Sequence, residues 1–118
     1  MKNEKQPILI PSARQVEWAD CEIGVIIHFD LTSFAPEYTE AKKAGTVSPG
    51  IFNPDRLDTD QWLACAKAAR AKYAVLTASH SSGFSLAPSE ISDFTIANSP
   101  YKNGKGDIVA EFVASCKK

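Results

Sequence analysis

A short apolar run that stops abruptly in a polar cluster constrains this chain most. Residues 73–78 are small or apolar, and the Ser-His-Ser-Ser segment at 79–82 follows directly, ahead of Gly83. A run that is apolar on both faces is typical of a strand in a parallel sheet covered by helices. In such folds, ligands bind just past the carboxyl ends of the strands. We therefore expect His80 to lie at a ligand site.

The same pattern occurs once before. Residues 23–27 are apolar and mostly β-branched, and His28 stands at their end. Because the carboxyl ends of parallel strands meet at one edge of a sheet, two strands that each end in histidine predict imidazoles that converge on one pocket. For either histidine alone, a hydrogen-bonded structural role at a strand end is the simpler interpretation. The repetition favours a shared ligand site.

Helical patterns accompany both runs. One helix is predicted from Asp58, because Gln61 stands three residues later as in a capping box, and a second begins at Asp107. Apolar residues recur at helical spacing in both and predict the buried faces. They are Trp62, Cys65, Ala66 and Ala69 in the first helix, and Ile108, Val109, Phe112, Val113 and Cys116 in the second. We interpret the two cysteines among them as small buried hydrophobic residues rather than disulfide or metal-binding groups.

The order of elements predicts an α/β fold. A short helix capped by Ser12 comes first, Trp18 is expected to pack beneath the sheet, and strands over about 22–28 and 72–79 each lead into a helix. Strand, helix, strand forms a right-handed parallel crossover. Two parallel strands cannot cover their own faces and edges, so the chain either pairs with another chain or belongs to a larger sheet. We favour the second interpretation, with residues 1–118 as the N-terminal βαβα portion of a (β/α)8 TIM-like barrel.

Composition and charge argue against several classes of partner. The net charge of −1 removes the electrostatic attraction on which nucleic-acid binding depends. No apolar run approaches the ~20 residues of a membrane span. Residues 8–10 are too few for the core of a signal peptide. We expect the protein to be periplasmic or secreted if a signal peptide has been removed, and otherwise cytoplasmic.

Other kinds of catalytic site have weaker support. Ser81 and Ser82 follow His80, but neighbours on a strand point to opposite faces, so no nucleophile–base pair is expected. A metal site made of His28, His80 and Asp30 is an alternative, although no further ligand is evident at metal-binding spacing. The glycines match neither a phosphate-binding loop nor a dinucleotide fingerprint, and we expect no cofactor.

A series of short segments, in order along the chain, carries a specific resemblance. They are Ile23 to Phe29, Ile51-Phe-Asn-Pro54, Leu57-Asp58, Gln61-Trp62, Ala66-Lys67, residues 71–77, His80, Gly83-Phe84 and residues 99–109. Together they resemble the N-terminal part of α-L-fucosidases of glycoside hydrolase family 29, from about Trp18 to Lys118. The resemblance is greatest to the branch that acts on α-1,3/1,4-linked fucose.

The resemblance implies a fold and a mechanism. Family members have a (β/α) barrel followed by a β-sandwich, so residues 1–118 would form the first two βα units. The family mechanism retains the anomeric configuration: an Asp attacks the anomeric carbon, and a second carboxyl acts as acid and then as base. Both groups come from later strands and loops, so no catalytic residue is expected in this chain. The implied function is an exo-acting α-L-fucosidase that removes terminal L-fucose from fucosylated oligosaccharides or glycoconjugates.

The resemblance also implies which residues bind the sugar. His28 and His80 match family histidines, Glu37 and Tyr38 lie where the family has Glu-Trp, and Ser81 takes the place of a second histidine. Imidazole, carboxylate and hydroxyl groups hydrogen-bond sugar hydroxyls, and an aromatic ring stacks on the apolar face of a sugar. Without the resemblance, the Glu-Tyr pair is better interpreted as a solvated carboxylate and a half-buried ring. No metal or cofactor is implied.

The chain also departs from the family pattern. The family's His-His-Asp-Gly-Phe is His-Ser-Ser-Gly-Phe here, with Ser81 in place of a histidine and Ser82 in place of an aspartate. Asp30 replaces a glycine, and Ala87 replaces a tryptophan. Two alternatives therefore stay open. One is a carbohydrate-binding barrel that is inactive or has shifted to galacto-configured sugars, and the other is a metal-dependent barrel hydrolase.

Overall fold

The computed structural model describes residues 9–35 and 47–118. Three α-helices and two β-strands lie in these ranges, joined by short 3₁₀ turns. In chain order they are α1 (Ala13–Ala19), β1 (Gly24–Ile27), α2 (Thr59–Ala68), β2 (Tyr73–Leu76) and α3 (Ile108–Cys116). The 3₁₀ turns span Leu31–Phe34, Pro49–Ile51, Ile96–Asn98 and Tyr101–Gly104. Every helix in the described ranges is too short or too polar to cross a bilayer.

The two strands pair in parallel. Gly24 lies opposite Tyr73, and Ile27 lies opposite Leu76. The ring of Tyr73 lies over Gly24, and because a Cβ at this position would stand 2.1 Å from that ring, a larger residue would displace it. α2 connects the two strands along the chain, so the predicted strand–helix–strand order is present. The carboxyl ends of both strands consequently lie at one edge of the sheet.

Both strands are shorter than the predicted ranges 22–28 and 72–79. The main difference in β2 is at its carboxyl end, where the residues after Thr77 pair with a later segment instead of with β1: the amide of Leu86 donates to the carbonyl of Ala78 (2.9 Å), and Ser79 forms an isolated bridge with Ser85.

At the amino end of β2, the pairing starts close to the predicted residue, directly after α2. The helix ends in a Schellman motif, in which the amide of Ala71 donates to the carbonyl of Ala66 and Arg70 takes a left-handed φ of 64°. Only after this reversal does the amide of Lys72 donate to Ile23, 2.8 Å away, and start the pairing of the strands.

The predicted starts of the helices are confirmed. The Asp58 side chain accepts a hydrogen bond from the amide of Gln61 (3.0 Å), and the Asp107 side chain accepts one from Ala110 (2.8 Å). The reciprocal half of the capping box is absent from α2, because the Gln61 side chain donates to Cys65 Sγ instead (3.1 Å). Each cap satisfies an amide that would otherwise lack a partner in the first helical turn.

The first helix is also capped as predicted, but its tryptophan is not buried. Ser12 and Gln15 exchange both hydrogen bonds of a capping box at the start of α1. Trp18 leans against the ring of Tyr73, with 5.8 Å between ring centroids, yet it is 62% exposed. Trp18 therefore packs against the amino end of β2, which agrees with the expected place beneath the sheet, although most of its side chain is exposed.

Polar side chains join α2 to α3. Thr59 Oγ1 and Ser115 Oγ lie 2.8 Å apart and are buried between the helices. Ser115 also donates to the carboxylate of Asp60, and Lys118 forms an ion pair with the same carboxylate. Because these contacts bridge the start of one helix and the end of the other, they set the relative position of α2 and α3.

The hydrophobic core is built mainly from the long connections that follow the strands. Its centre is an aromatic cluster in which the rings of Phe52 and Phe84 lie 4.9 Å apart. The buried residues are Leu31, Phe52, Phe84, Leu86, Ile96, Tyr101 and Ile108. Phe29, two residues after the end of β1, packs on this core with its ring 5.4 Å from that of Trp62. Buried apolar side chains therefore hold the described parts of both connections in place. These parts include the polar segment 79–82, which is followed closely by buried residues such as Phe84.

The predicted buried faces of the helices are only partly buried. Of the α2 stripe, Ala66 is buried and Trp62 is half-buried, whereas Cys65 is exposed. In α3, Val113 is 45% exposed and Cys116 is exposed. The expectation that both cysteines are buried is therefore wrong for this chain. Burial in an α/β fold needs a layer on each side of the helix and the sheet, and the described residues do not supply that layer here.

Candidate functional site

The two histidines meet at the carboxyl edge of the sheet. His28 follows β1 directly, and His80 lies in the segment after β2. Their ring centroids are 4.9 Å apart with an edge-to-face angle of 69°. Both side chains are exposed, so a ligand can reach them. The predicted convergence of the two imidazoles is confirmed as geometry.

Thr77 orients the first of these rings. Its hydroxyl lies 2.9 Å from His28 Nδ1. The amide of Thr77 donates to Ile27, 3.1 Å away, which extends the strand register by one residue and places the threonine beside His28. With Nδ1 engaged, Nε2 of His28 is the ring nitrogen that points to other groups. Sequence analysis did not single out Thr77. Pairing the two predicted strands in parallel would have placed it opposite His28.

His80 begins a tight turn. The amide of Gly83 donates to the carbonyl of His80 (2.9 Å), and Gly83 takes a φ of 77°, which favours glycine. Within the turn, His80 Nδ1 and Ser81 Oγ lie 3.0 Å apart. The premise that His80 and Ser81 point to opposite faces is therefore wrong, whereas the expectation that they form no nucleophile–base pair stays a prediction. β2 ends at Leu76, so the alternation of side chains along a strand does not apply at the turn.

Behind the histidines lies a buried polar contact that joins the two segments. Ser82 is 1% exposed, and its hydroxyl donates to Asp30 Oδ1 (2.8 Å). The same carboxylate oxygen accepts the amide of Leu31 (2.7 Å), and the Ser82 hydroxyl accepts the amide of Phe84 (3.1 Å). Asp30 itself is 7% exposed, and its Oδ2 has no hydrogen-bond partner among the described residues. Sequence analysis noted Ser82 only as a departure from the family pattern, and Asp30 as a departure and as a candidate metal ligand, but it did not predict their contact.

This arrangement does not favour the metal alternative. Asp30 was the proposed third ligand beside His28 and His80, but its Oδ1 is engaged by an amide and a hydroxyl. In the ranges 9–35 and 47–118, no group of three or more potential metal ligands lies together. Of the remaining candidate residues, Glu37 and Tyr38 lie outside the described residues.

The accessible groups suit a ligand rich in hydroxyls. Two imidazoles stand beside the hydroxyls of Thr77 and Ser81, and both kinds of group can donate or accept hydrogen bonds. The exposed edge is polar, while the aromatic core lies directly behind it. A few convergent polar groups on a rigid apolar base are typical of a binding site for a small molecule.

Comparison with known families decides where this chain belongs. Residues 37–118 match the family model described as alpha-L-fucosidase. The chain belongs to the alpha-L-fucosidase family. The match covers the whole of α2, β2 and α3, and with them the turn that carries His80.

Similar proteins support the same assignment. Alpha-L-fucosidase 1 of Arabidopsis thaliana is 36% identical over 119 residues, which cover 100% of this chain and 23% of that protein. A glycoside hydrolase 29 family member from an unknown rumen bacterium superposes with a TM-score of 0.83 at 35% identity, over 92% of this chain and 19% of that one. A candidate alpha-L-fucosidase from Bacteroides thetaiotaomicron gives a TM-score of 0.81 at 43% identity, over 94% and 24%. The chain thus spans less than a quarter of the length of each of these relatives.

Proposed function

We propose that this chain forms the N-terminal βαβα part of the catalytic barrel of a family 29 α-L-fucosidase. The proposal rests on one observation above all: His28 and His80 meet, 4.9 Å apart, at the carboxyl edge of a parallel sheet in a chain of this family. That edge is where α/β barrels bind their substrates. The apolar face that the two strands leave exposed is where further strands and helices of a barrel would pack.

In this proposal the chain contributes to sugar binding rather than to bond cleavage. Nε2 of His28 and the imidazole of His80 hydrogen-bond hydroxyls of a terminal L-fucose, with the Ser81 hydroxyl beside them. Glu37 and Tyr38 complete the contacts through a carboxylate and a stacking ring. The nucleophilic Asp and the acid/base carboxyl lie in later parts of the barrel, and the two together retain the anomeric configuration. We further propose a preference for α-1,3/1,4-linked fucose.

The second candidate function is a barrel that binds a galacto-configured sugar or has lost activity. It is favoured by Ser81, whose side chain is shorter than the histidine that the resemblance implies at this position. L-Fucose is a 6-deoxygalactose, so space at one position would admit a related sugar with an additional substituent. Binding of galactosides without hydrolysis of fucosides would support this candidate.

The decisive experiment uses the full-length protein and aryl glycosides. We expect hydrolysis of an aryl α-L-fucoside with the first product formed in the α configuration, as followed by NMR, and no loss of rate after treatment with a chelator. A β product would contradict the retaining mechanism. Inactivation by the chelator would favour the metal-dependent alternative. Binding of fucose by calorimetry in the absence of any hydrolysis would favour the inactive barrel.

A further inference from the structure

The hydrogen bond between Asp30 and Ser82 joins positions far apart in the chain, directly behind the two histidines. Asp30 is two residues after His28, and Ser82 is two residues after His80. In each of the two segments, an exposed histidine is therefore followed two residues later by one member of the buried Asp30–Ser82 pair. The outer pair faces the proposed ligand, and the inner pair is within the fold.

The buried bond acts on His80 through the turn. Ser82 is the third residue of the turn that His80 begins, and its hydroxyl is fixed at both sides, donating to Asp30 Oδ1 (2.8 Å) and accepting from the amide of Phe84 (3.1 Å). Asp30 is in turn fixed by the amide of Leu31 (2.7 Å). A shift of the turn relative to β1 would break this contact between buried polar groups, so the turn is held where the two rings meet.

We infer that Asp30 and Ser82 form a positioning pair, whose buried hydrogen bond holds the turn that carries His80 against the strand end that carries His28. The inference rests on the proposed function for its effect on sugar recognition, but not for its effect on the two rings. The inference also explains two departures from the family pattern together, because Asp30 and Ser82 are partners in the same hydrogen bond. The resemblance implies glycine at position 30 and aspartate at position 82, whereas this chain has Asp30 and Ser82.

The geometry explains how the two arrangements would be equivalent. Ser82 Oγ lies 2.8 Å from Asp30 Oδ1, which itself lies 2.7 Å from the amide of Leu31. An aspartate at position 82 is longer than serine by one carbon and a second oxygen. It would reach toward the place that the Asp30 carboxylate occupies here, provided that position 30 has no side chain. In both arrangements a single carboxylate links the two segments.

The test compares four variants of the full-length protein with a matched control. Ser82→Ala and Asp30→Ala each remove one partner, a double variant removes both, and Asp30→Gly with Ser82→Asp restores the family arrangement. Ser99→Ala is the control, because Ser99 is likewise a buried serine, with its hydroxyl donating to the carbonyl of Ile96 (2.6 Å), and it lies outside the site.

Two readouts separate positioning from a general loss of stability. Contacts between the His28 and His80 rings are followed by NMR, with the two imidazoles labelled, and kcat/KM is measured on an aryl α-L-fucoside. We expect Ser82→Ala and Asp30→Ala each to weaken the inter-ring contacts and to lower kcat/KM at least about fivefold. We expect the double variant to lose little more than either single variant, because the two residues act as one unit. The restored pair should recover most of the loss.

The inference is overturned if Ser82→Ala leaves the inter-ring contacts and kcat/KM as Ser99→Ala does, or if the two single losses add in the double variant. If the single variants do not fold, the restored pair alone decides: native inter-ring contacts support the inference, and separated rings overturn it. If the wild type hydrolyses no fucoside, the proposed function fails, while the NMR contacts still test the positioning pair.

Discussion

At the scale of single residues, the site depends on how each imidazole is held. His28 is oriented by a hydroxyl from the neighbouring strand, whereas His80 is oriented by the turn it begins and by the hydroxyl of Ser81, 3.0 Å away. The first contact depends on strand register and the second on a tight turn. The orientation of His28 should therefore depend on the pairing of the strands, whereas the orientation of His80 should depend on the conformation of its turn.

Replacing His28 tests the sugar contact most directly. In the full-length protein we expect His28→Ala to lower kcat/KM on an aryl α-L-fucoside at least about tenfold, equivalent to about 1.4 kcal/mol of transition-state stabilisation. The reason is the loss of a hydrogen bond from Nε2 to a ring hydroxyl. Glu90→Ala, a change at an exposed residue away from the site, is the control. Wild-type kinetics from a correctly folded His28→Ala protein would refute the contact.

Ser81 tests whether specificity has moved. We expect Ser81→His to raise the ratio of kcat/KM for an aryl α-L-fucoside over that for aryl galactosides, because the imidazole fills space and restores a group of the family pattern. The gain should be partial, since Ser82 also differs from that pattern and the change removes the contact of Ser81 with His80. An unchanged or lower ratio with an intact fold would show that Ser81 does not set this specificity.

At the scale of elements, the contact between α2 and α3 is polar and sensitive to pH. The hydrogen bond from Lys118, with a second from Ser115, lowers the pKa of Asp60 below its usual value. A carboxyl whose pKa is lower in the folded state stabilises the fold above its unfolded pKa, and this contribution is lost as the pH falls through the folded pKa. Asp60 should therefore stabilise the pairing of helices at neutral pH and cease to do so in acid.

Asp60→Asn in the full-length protein makes this measurable. We expect the melting temperature to fall by no more than about 2 °C at neutral pH, because the pair is exposed to solvent, and the difference from wild type to vanish as the pH falls through the lowered pKa of Asp60. The difference should also shrink at high salt. Asp55→Asn, at an exposed aspartate ahead of α2, is the control. A difference that persists unchanged into acid would contradict the role of the carboxylate.

At the scale of the whole molecule, the sheet presents apolar surface that the described residues do not cover. Ile26 and Val75 lie opposite each other in the parallel pair and are 64% and 46% exposed. Exposed apolar pairs in the middle of a sheet are unusual in a stable monomer, because burial of such side chains is a main source of folding free energy. A partner layer from elsewhere in a barrel would bury them.

The 118-residue chain produced alone should therefore associate or remain molten. We expect multimers or precipitate on gel filtration, binding of a hydrophobic dye, and no cooperative thermal transition. Ile26→Thr combined with Val75→Thr should reduce dye binding and association, because it removes apolar area from the exposed face. A monomer with a sharp melt and dispersed amide resonances would contradict the expectation that these two strands need further layers.

What the sequence determined by itself was local. Apolar runs located both strands, Asp58 and Asp107 marked the starts of the helices, and two strand-end residues, His28 and His80, were expected to converge because parallel strands share an edge. These features depend on periodicity and on hydrogen bonds between residues three or four positions apart, which can be seen in a linear sequence. The segments that match the family could also be recognised in order along the chain.

Only the tertiary structure decided the contacts between distant segments. Thr77 beside His28, the bond between Ser82 and Asp30, and the exposed positions of Cys65 and Cys116 could not be predicted from neighbours in sequence. Each depends on where a turn places a side chain within a few ångströms of another segment, or on which faces find a covering layer. Hydrogen bonds need partners within about 3 Å, so a small change in a turn makes or breaks them, whereas the apolar pattern that specifies a strand is unaffected.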